Sequence, residues 1–245
     1  KQCERLLPHD VEFHLFASSK SAGEILTVNN QDLTIKELSS ENIEKYDIAL
    51  FSAGGERSKT YAENFISQGS YVIDNSSVFR LQEEVPLVVY GINQSEITSN
   101  TKLIANPNCT TMGLVMALKP LHDKFDLVSM TPVAYQAVSG SGTAALSSLS
   151  KEESLDDKSL AELKDGYYTR PIARNVIPLA GNLLDNGYSD EEMKFVHESK
   201  KILGIPELVV APSNARVGVR TGHGVFCSAV FEKNINTDEA IDELN

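Results

Sequence analysis

No apolar run in this 245-residue chain approaches the roughly 20 residues of a membrane-spanning helix, so the sequence argues against a transmembrane protein. The stretch from Lys1 to Pro8 holds charges and a cysteine where a signal peptide would hold an apolar core. It reads instead as a helix entered partway, with Leu6 and Leu7 as its last apolar residues. Cysteine is scarce: Cys3, Cys109 and Cys227 are odd in number, far apart and without CxxC spacing. That argues against a disulfide framework or a zinc site, gives no metal expectation, and points to a reducing cytoplasm. Positive charge is in short supply as well. Lys and Arg total 22 against 34 Asp and Glu, a net charge of −12, which argues against a nucleic-acid surface. An anionic small molecule stays open, because a few placed cations dominate a local pocket. Internal repeats and low-complexity tracts are absent too.

What is present alternates. Val11–Phe16, Tyr46–Ser52, Tyr71–Asp74, Leu87–Tyr90 and Leu103–Ala105 are short apolar runs suited to strands covered on both faces, and Ser58–Ser67 is helical in pattern. Strands alternating with helices predict parallel crossovers, hence an α/β domain. Cys109–Phe125 then reads as one helix, Leu127–Val138 as a long strand, and Leu208–Phe231 as two more. Ser189-Asp190-Glu191-Glu192 is a capping box that opens a helix over Asp190–Leu203, and Thr237–Asn245 starts another. Long strands with separate helices predict an α+β second domain from about Asn108.

The strongest local signal is Asn106-Pro107-Asn108-Cys109-Thr110-Thr111, a strand end entering a helix. Unpaired N–H groups and partial positive charge at a helix N-terminus stabilise a thiolate, the competent nucleophile. A buried structural cysteine is the blander reading, and it is retained for Cys3 and Cys227. His223, between Gly222 and Gly224, suits an acid/base partner or a turn. Arg216 offers a fork for a carboxylate, or a surface salt bridge. Glu191 and Lys194 share a helix face and by themselves read as a solvated pair. Ser52-Ala53-Gly54-Gly55 and the turn in Tyr135–Gly142 are weak candidates for cradling a dinucleotide.

The order of these motifs says more than any one of them. Phe16–Gly23, Phe51–Gly55, Asp74–Arg80, Pro86–Val89, Asn106–Thr111, Tyr135–Gly142, Pro171–Pro178, Glu191–Lys194, Arg216 and His223 together resemble aspartate-β-semialdehyde dehydrogenases over nearly the whole chain. The resemblance implies a Rossmann-like parallel-sheet dinucleotide-binding domain over 1–107, a catalytic and dimerisation domain over 108–235, and a return toward the first domain from 236. It implies NADPH-dependent conversion of L-aspartyl-4-phosphate to aspartate semialdehyde in lysine, threonine and methionine biosynthesis, by a cytoplasmic homodimer or homotetramer. Carried over residue by residue, Cys109 is the nucleophile, His223 the acid/base and Gln136 the substrate orienter. Arg216 takes the α-carboxylate, Glu191 the amino group, and Arg80, Asn108 and Lys194 the phosphate. Ser18, Lys20, Ser21, Ala53, Gly54, Gly55, Ser139 and Gly140 fall on the NADP site.

The match also departs from the family. The Gly-rich loop after the first strand is absent, Lys1 falls inside the helix that should follow it, and the far end is missing. The chain is therefore expected to be incomplete at both ends and, alone, incomplete for turnover. Lys20 stands where arginine is usual, Gly218 where proline is, and Gly224 where serine is common. Rivals are N-acetylglutamyl-phosphate reductase, disfavoured by Pro107-Asn108-Cys109, a malonyl-CoA reductase of the same fold, and a non-catalytic dimerising paralogue.

Overall fold

Short parallel strands are what the valine- and isoleucine-rich runs become. A computed structural model describes residues 11–28 and 30–245; the readings for Cys3, for Lys1 and for the segment up to Pro8 lie outside the described residues. Two compact units are present, one of the described residues up to Pro86 together with Ile97–Asn106, the other of Leu87–Glu96 with Pro107–Asn245.

The first unit contains β1 (Phe16–Ala17), β2 (Ile25–Val28), β3 (Gln31–Thr34), β4 (Lys36–Glu37), β5 (Ile48–Phe51), α1 (Gly55–Ser67), β6 (Tyr71–Asp74) and β7 (Leu103–Ala105). β5, β6 and β7 form a parallel sheet in that order, with Ile48 opposite Tyr71 and Val72 opposite Leu103. α1 is the crossover that parallel pairing of β5 and β6 requires. Its buried residues Ser58, Ala62 and Phe65 recur at helical spacing, so one face lies against the core. Phe65 meets Phe51 and Phe16 edge to face, with ring centroids 5.4 and 5.9 Å apart. β1 pairs in parallel with β4, and β2 with β3 antiparallel.

Two expected strands differ. The Val11–Phe16 run is extended sheet only at Phe16–Ala17. Leu87–Tyr90 forms no strand, because Asn93 takes over the pairing. Its Nδ2 donates to Leu87 O at 2.9 Å and its Oδ1 accepts from Val89 N at 2.8 Å, giving these buried backbone groups partners without a ladder.

The second unit contains α2 (Cys109–Phe125), β8 (Leu127–Gln136), α3 (Thr143–Glu153), α4 (Asp157–Glu162), β9 (Val176–Ile177), α5 (Asp190–Leu203), β10 (Val209–Val210), β11 (Ser213–Val217), β12 (Gly224–Phe231) and α6 (Thr237–Leu244). β8 is central. β10 and then β11 run parallel along one edge of it, β12 runs antiparallel along the other, and β9 pairs with β11. Where two strands were expected in Leu208–Phe231, three form. On β8 Met130, Ala134 and Gln136 are buried while Thr131 and Tyr135 are exposed, so the sheet has one packed and one open face. α2 buries Leu114, Val115, Leu118 and Phe125, each contributing roughly 1.5–3 kcal/mol relative to exposure. α5 packs on α2 and opens with the capping box read from the sequence, Ser189 with Glu192. Among the described residues no helix is long and apolar enough to cross a membrane.

Candidate active site

The chain leaves β7 at Ala105 and begins α2 at Cys109. Asn108 caps that helix: its Oδ1 accepts from Thr110 N at 3.1 Å and from Thr110 Oγ1 at 2.6 Å. The cap leaves the Cys109 thiol exposed at the first helical position, where the helix end favours a thiolate. Asn108 Nδ2 donates to Glu191 Oε2 at 3.1 Å, and Gln136 Nε2 reaches the same oxygen at 3.3 Å. The other Glu191 oxygen pairs with Lys194. Sequence alone made Glu191 and Lys194 a solvated pair; both side chains are instead largely covered, at 18% and 24% exposure. One carboxylate thus ties the residue before the cysteine to the end of β8 and to a cation.

A second group gathers one strand over. Arg216 on β11 stands opposite Gln136 on β8 in the parallel register. Ala137 then holds two functional groups at once: its N–H donates to His223 Nδ1 at 2.9 Å, and its carbonyl accepts from Arg216 Nη1 at 2.7 Å. With Nδ1 accepting, neutral His223 carries its proton on Nε2. Burial pushes the His223 pKa below its ordinary value, the Arg216 guanidinium adds to that, and Glu191 opposes it. Arg216 is only 5% exposed, and its Nε has no hydrogen-bond partner among the described residues. A buried guanidinium with an unused N–H suits an incoming carboxylate. Gly140 borders the group, since a Cβ there would stand 3.2 Å from His223 Cε1 and 3.5 Å from Arg216 Nη1. Glycine keeps that surface open. Ser139 precedes it with its N–H donated to Arg220 O at 2.9 Å.

One of the sequence departures finds a physical reason. A Cβ at Gly218 would sit 2.5 Å from Ile172 O, so the chain approaches too closely there for any side chain. Gly224 opens β12 with nothing within 4 Å of a Cβ, and the structure offers no reason for glycine at that position. Cys227, on the same strand, is half-buried, and burial pushes its thiol pKa up, with the backbone of Thr131 opposing.

Arg80 belongs to the first unit. It is buried, donating from Nε to Asn106 O and from Nη2 to Asn75 O, both at 2.9 Å. Those carbonyls follow β7 and β6, while the other first-unit candidates follow β1 and β5. Gly54, after β5, is the N-cap of α1 with φ 87° and ψ 156°, and no side chain caps that helix among the described residues. Ser18–Ser21 forms a turn after β1, with Ser21 N donating to Ser18 O at 3.0 Å and Lys20 exposed. A bare glycine-capped helix at the C-terminal edge of parallel strands fits a dinucleotide. No cluster of His, Cys, Asp and Glu among the described residues is arranged to hold a metal.

Sequence reasoning missed two buried carboxylates. Glu198 accepts from Asn108 N at 2.7 Å. Glu152 accepts from Ile172 N and Ala173 N at 2.7 and 2.9 Å, holding the loop that Gly218 packs against. Glu198 lies seven residues after Glu191 on one helix face, and that spacing was the available signal.

Comparison with known proteins places this geometry in context. Residues 5–100 match the semialdehyde dehydrogenase NAD binding domain, and residues 118–245 the semialdehyde dehydrogenase dimerisation domain. Aspartate-semialdehyde dehydrogenase of Corynebacterium glutamicum is 44% identical over 98% of this chain and 74% of its own length. The crystal structure of aspartate semialdehyde dehydrogenase II from Vibrio cholerae complexed with ASA superposes with a TM-score of 0.88 at 35% identity, covering 98% of this chain and 72% of that one. The Candida albicans enzyme with NADP gives 0.70 at 25% identity, over 95% and 68%.

Proposed function

The chain belongs to the aspartate-semialdehyde dehydrogenase family, and from that premise we propose how its own residues carry the reaction. It is an oxidoreductase that interconverts L-aspartyl-4-phosphate and L-aspartate-4-semialdehyde with NADP, a step toward lysine, threonine and methionine. The observation that carries the assignment of residues is the exposed Cys109 thiol at the α2 N-terminus, its cap Asn108 tied through Glu191 to Gln136.

The Cys109 thiolate attacks the acyl carbon, a C–S bond forms, the C–O bond to phosphorus breaks and phosphate leaves. Arg216 holds the α-carboxylate through its fork, Gln136 orients the chain of the substrate, and Glu191 faces its ammonium. On the family reading Arg80 and Lys194 supply cations for the phosphate and Asn108 lines its site, in a chain of net charge −12. When bound, NADPH supplies the hydride for the thioester carbon; Ser18, Lys20, Ser21, Ala53, Gly54 and Gly55 would hold its nucleotide part, Ser139 and Gly140 its nicotinamide. His223 acts at Nε2, holding the proton at the oxygen of the carbon bonded to Cys109 as aldehyde and thiolate join or part.

The protein works as a homodimer in the cytoplasm on this reading. Supporting the dimer is the open face of the second unit's sheet, where Phe226 and Val230 are 70% and 56% exposed and Phe226 meets Tyr135 edge to face. The test, in the full-length protein, is NADPH formation from L-aspartate semialdehyde and NADP, run with and without inorganic phosphate. Phosphate-dependent turnover with mass-spectrometric capture of an acyl group on Cys109 is expected. Turnover of malonyl-CoA in place of the phosphorylated substrate would overturn the reading.

A further inference from the structure

We infer that Glu198 is a positioning residue for the nucleophile, acting through the backbone N–H of Asn108. The inference rests on Cys109 being that nucleophile. Every polar atom of Asn108 is engaged. Its carbonyl accepts from Met112 N at 2.9 Å, Oδ1 accepts from Thr110, Nδ2 donates to Glu191, and its N–H donates to Glu198 Oε2 at 2.7 Å. Two carboxylates two turns apart on α5 therefore grip the one residue that sets the direction in which Cys109 leaves the strand end. Gripping the side chain alone would leave the peptide plane before Asn108 free to turn, and the thiol would swing with it. Glu198 closes that freedom.

Glu198 is an unusual way to fill this position. It is 2% exposed, on the same helix as Phe195, which is fully buried. A leucine or methionine would pack there without the cost of burying a carboxylate, but it would strand the Asn108 N–H. The acceptor, and not the volume, is what the site requires. That separates two conservative changes. Glu198→Gln keeps length and an acceptor oxygen while discarding charge. Glu198→Asp keeps charge while withdrawing the acceptor by one methylene.

The test compares both variants in the full chain, using two readouts: steady-state turnover of L-aspartate semialdehyde, and the rate of Cys109 alkylation by iodoacetamide. Thermal melts confirm that each variant is folded. Glu198→Gln should stay within about threefold of the parent in both readouts. Glu198→Asp should lose about tenfold to a hundredfold in kcat with KM within about twofold, the scale of a displaced reacting group, and its alkylation should slow in parallel. The inference is overturned if Asp outperforms Gln, or if both variants match the parent. Alkylation needs no substrate. Failure of the parent to turn over the semialdehyde would therefore strike at the enzymatic assignment, while the ranking of alkylation rates would still decide the role of Glu198.

Discussion

The molecule starts two helices directly after parallel strands, and it finishes those two starts in opposite ways. α1 begins at Gly54, a residue with no side chain, in a backbone conformation that only glycine adopts readily, and no described side chain caps it. α2 begins at Asn108, whose every polar atom is spoken for. A bare start offers its N–H groups and partial charge to something that arrives from outside. A filled start spends them on holding one side chain in place, and here that side chain is a thiol. The same strand-to-helix junction thus yields a receptacle in one unit and a tool in the other.

Removing the tool should have the largest effect. Cys109→Ser is expected to lower kcat by about ten-thousandfold or more, since loss of a covalent nucleophile is not replaced by binding. Iodoacetamide should block the parent at Cys109 before Cys227, whose thiol pKa is pushed up by burial; peptide mapping of a partial reaction checks this. Faster labelling of Cys227 would erase the contrast between a filled helix start and an ordinary strand cysteine.

Next in size is the carboxylate fork beside the tool. Arg216→Lys keeps charge but loses paired donors, and kcat/KM for the semialdehyde should fall by about 30- to 1,000-fold, about 2–4 kcal/mol. The KM for NADP should stay within about twofold. A loss shared equally by both substrates would mean that Arg216 serves the sheet and not the carboxylate.

Exchanging the two kinds of helix start gives the direct test. Gly54→Ala places a side chain where φ is 87° and nothing lies within 4 Å of the new Cβ, so backbone strain alone is introduced. That strain is about 1–3 kcal/mol, and NADP affinity measured by calorimetry should weaken about tenfold. Asn108→Ala removes a cap of about 1 kcal/mol and should slow Cys109 alkylation several-fold, leaving NADP affinity near the parent value. Crossed effects would show that the two junctions do not divide the labour.

The smallest effect belongs to His223. Its folded pKa lies below the ordinary value near 6.5, so as pH falls through 6.5 the unfolded chain takes up the proton first. Stability should therefore decline from about pH 6.5 downward and level off below the folded pKa. In His223→Gln that part of the slope should vanish, as melting curves between about pH 7 and about pH 5 will show. An unchanged slope in the variant would locate the acid sensitivity elsewhere.

Much of the scaffold was legible because several signals agreed at each place. β6, β7, α2 and α5 form over the very residues their periodicity and caps mark out, and the Ser189 capping box is a signal that tertiary packing rarely overrides. Leu87–Tyr90 misled because an apolar run announces burial, not pairing, and Asn93 satisfies it from a turn. Glu152 and Glu198 went unread for the converse reason. A glutamate beside lysines or serines reads as solvated, and only the fold shows which backbone N–H groups it must answer. For the site, chemical types could be read from Cys109, Arg216 and His223, each with a bland alternative, while Gln136 came only from the family resemblance. That Ala137 would hold both His223 and Arg216 depends on a parallel register that no local motif encodes.

β8 carries a consequence of its own for how the protein dies. It is bonded to β10 and β11 along one edge and to β12 along the other, and Gln136 is its last residue. Amide protons so enclosed exchange with solvent only when the whole unit opens. The catalytic end of β8 therefore has no private route to disorder. On heating, activity and the slowest-exchanging deuterons should disappear together, with no temperature range in which a folded but disabled enzyme persists.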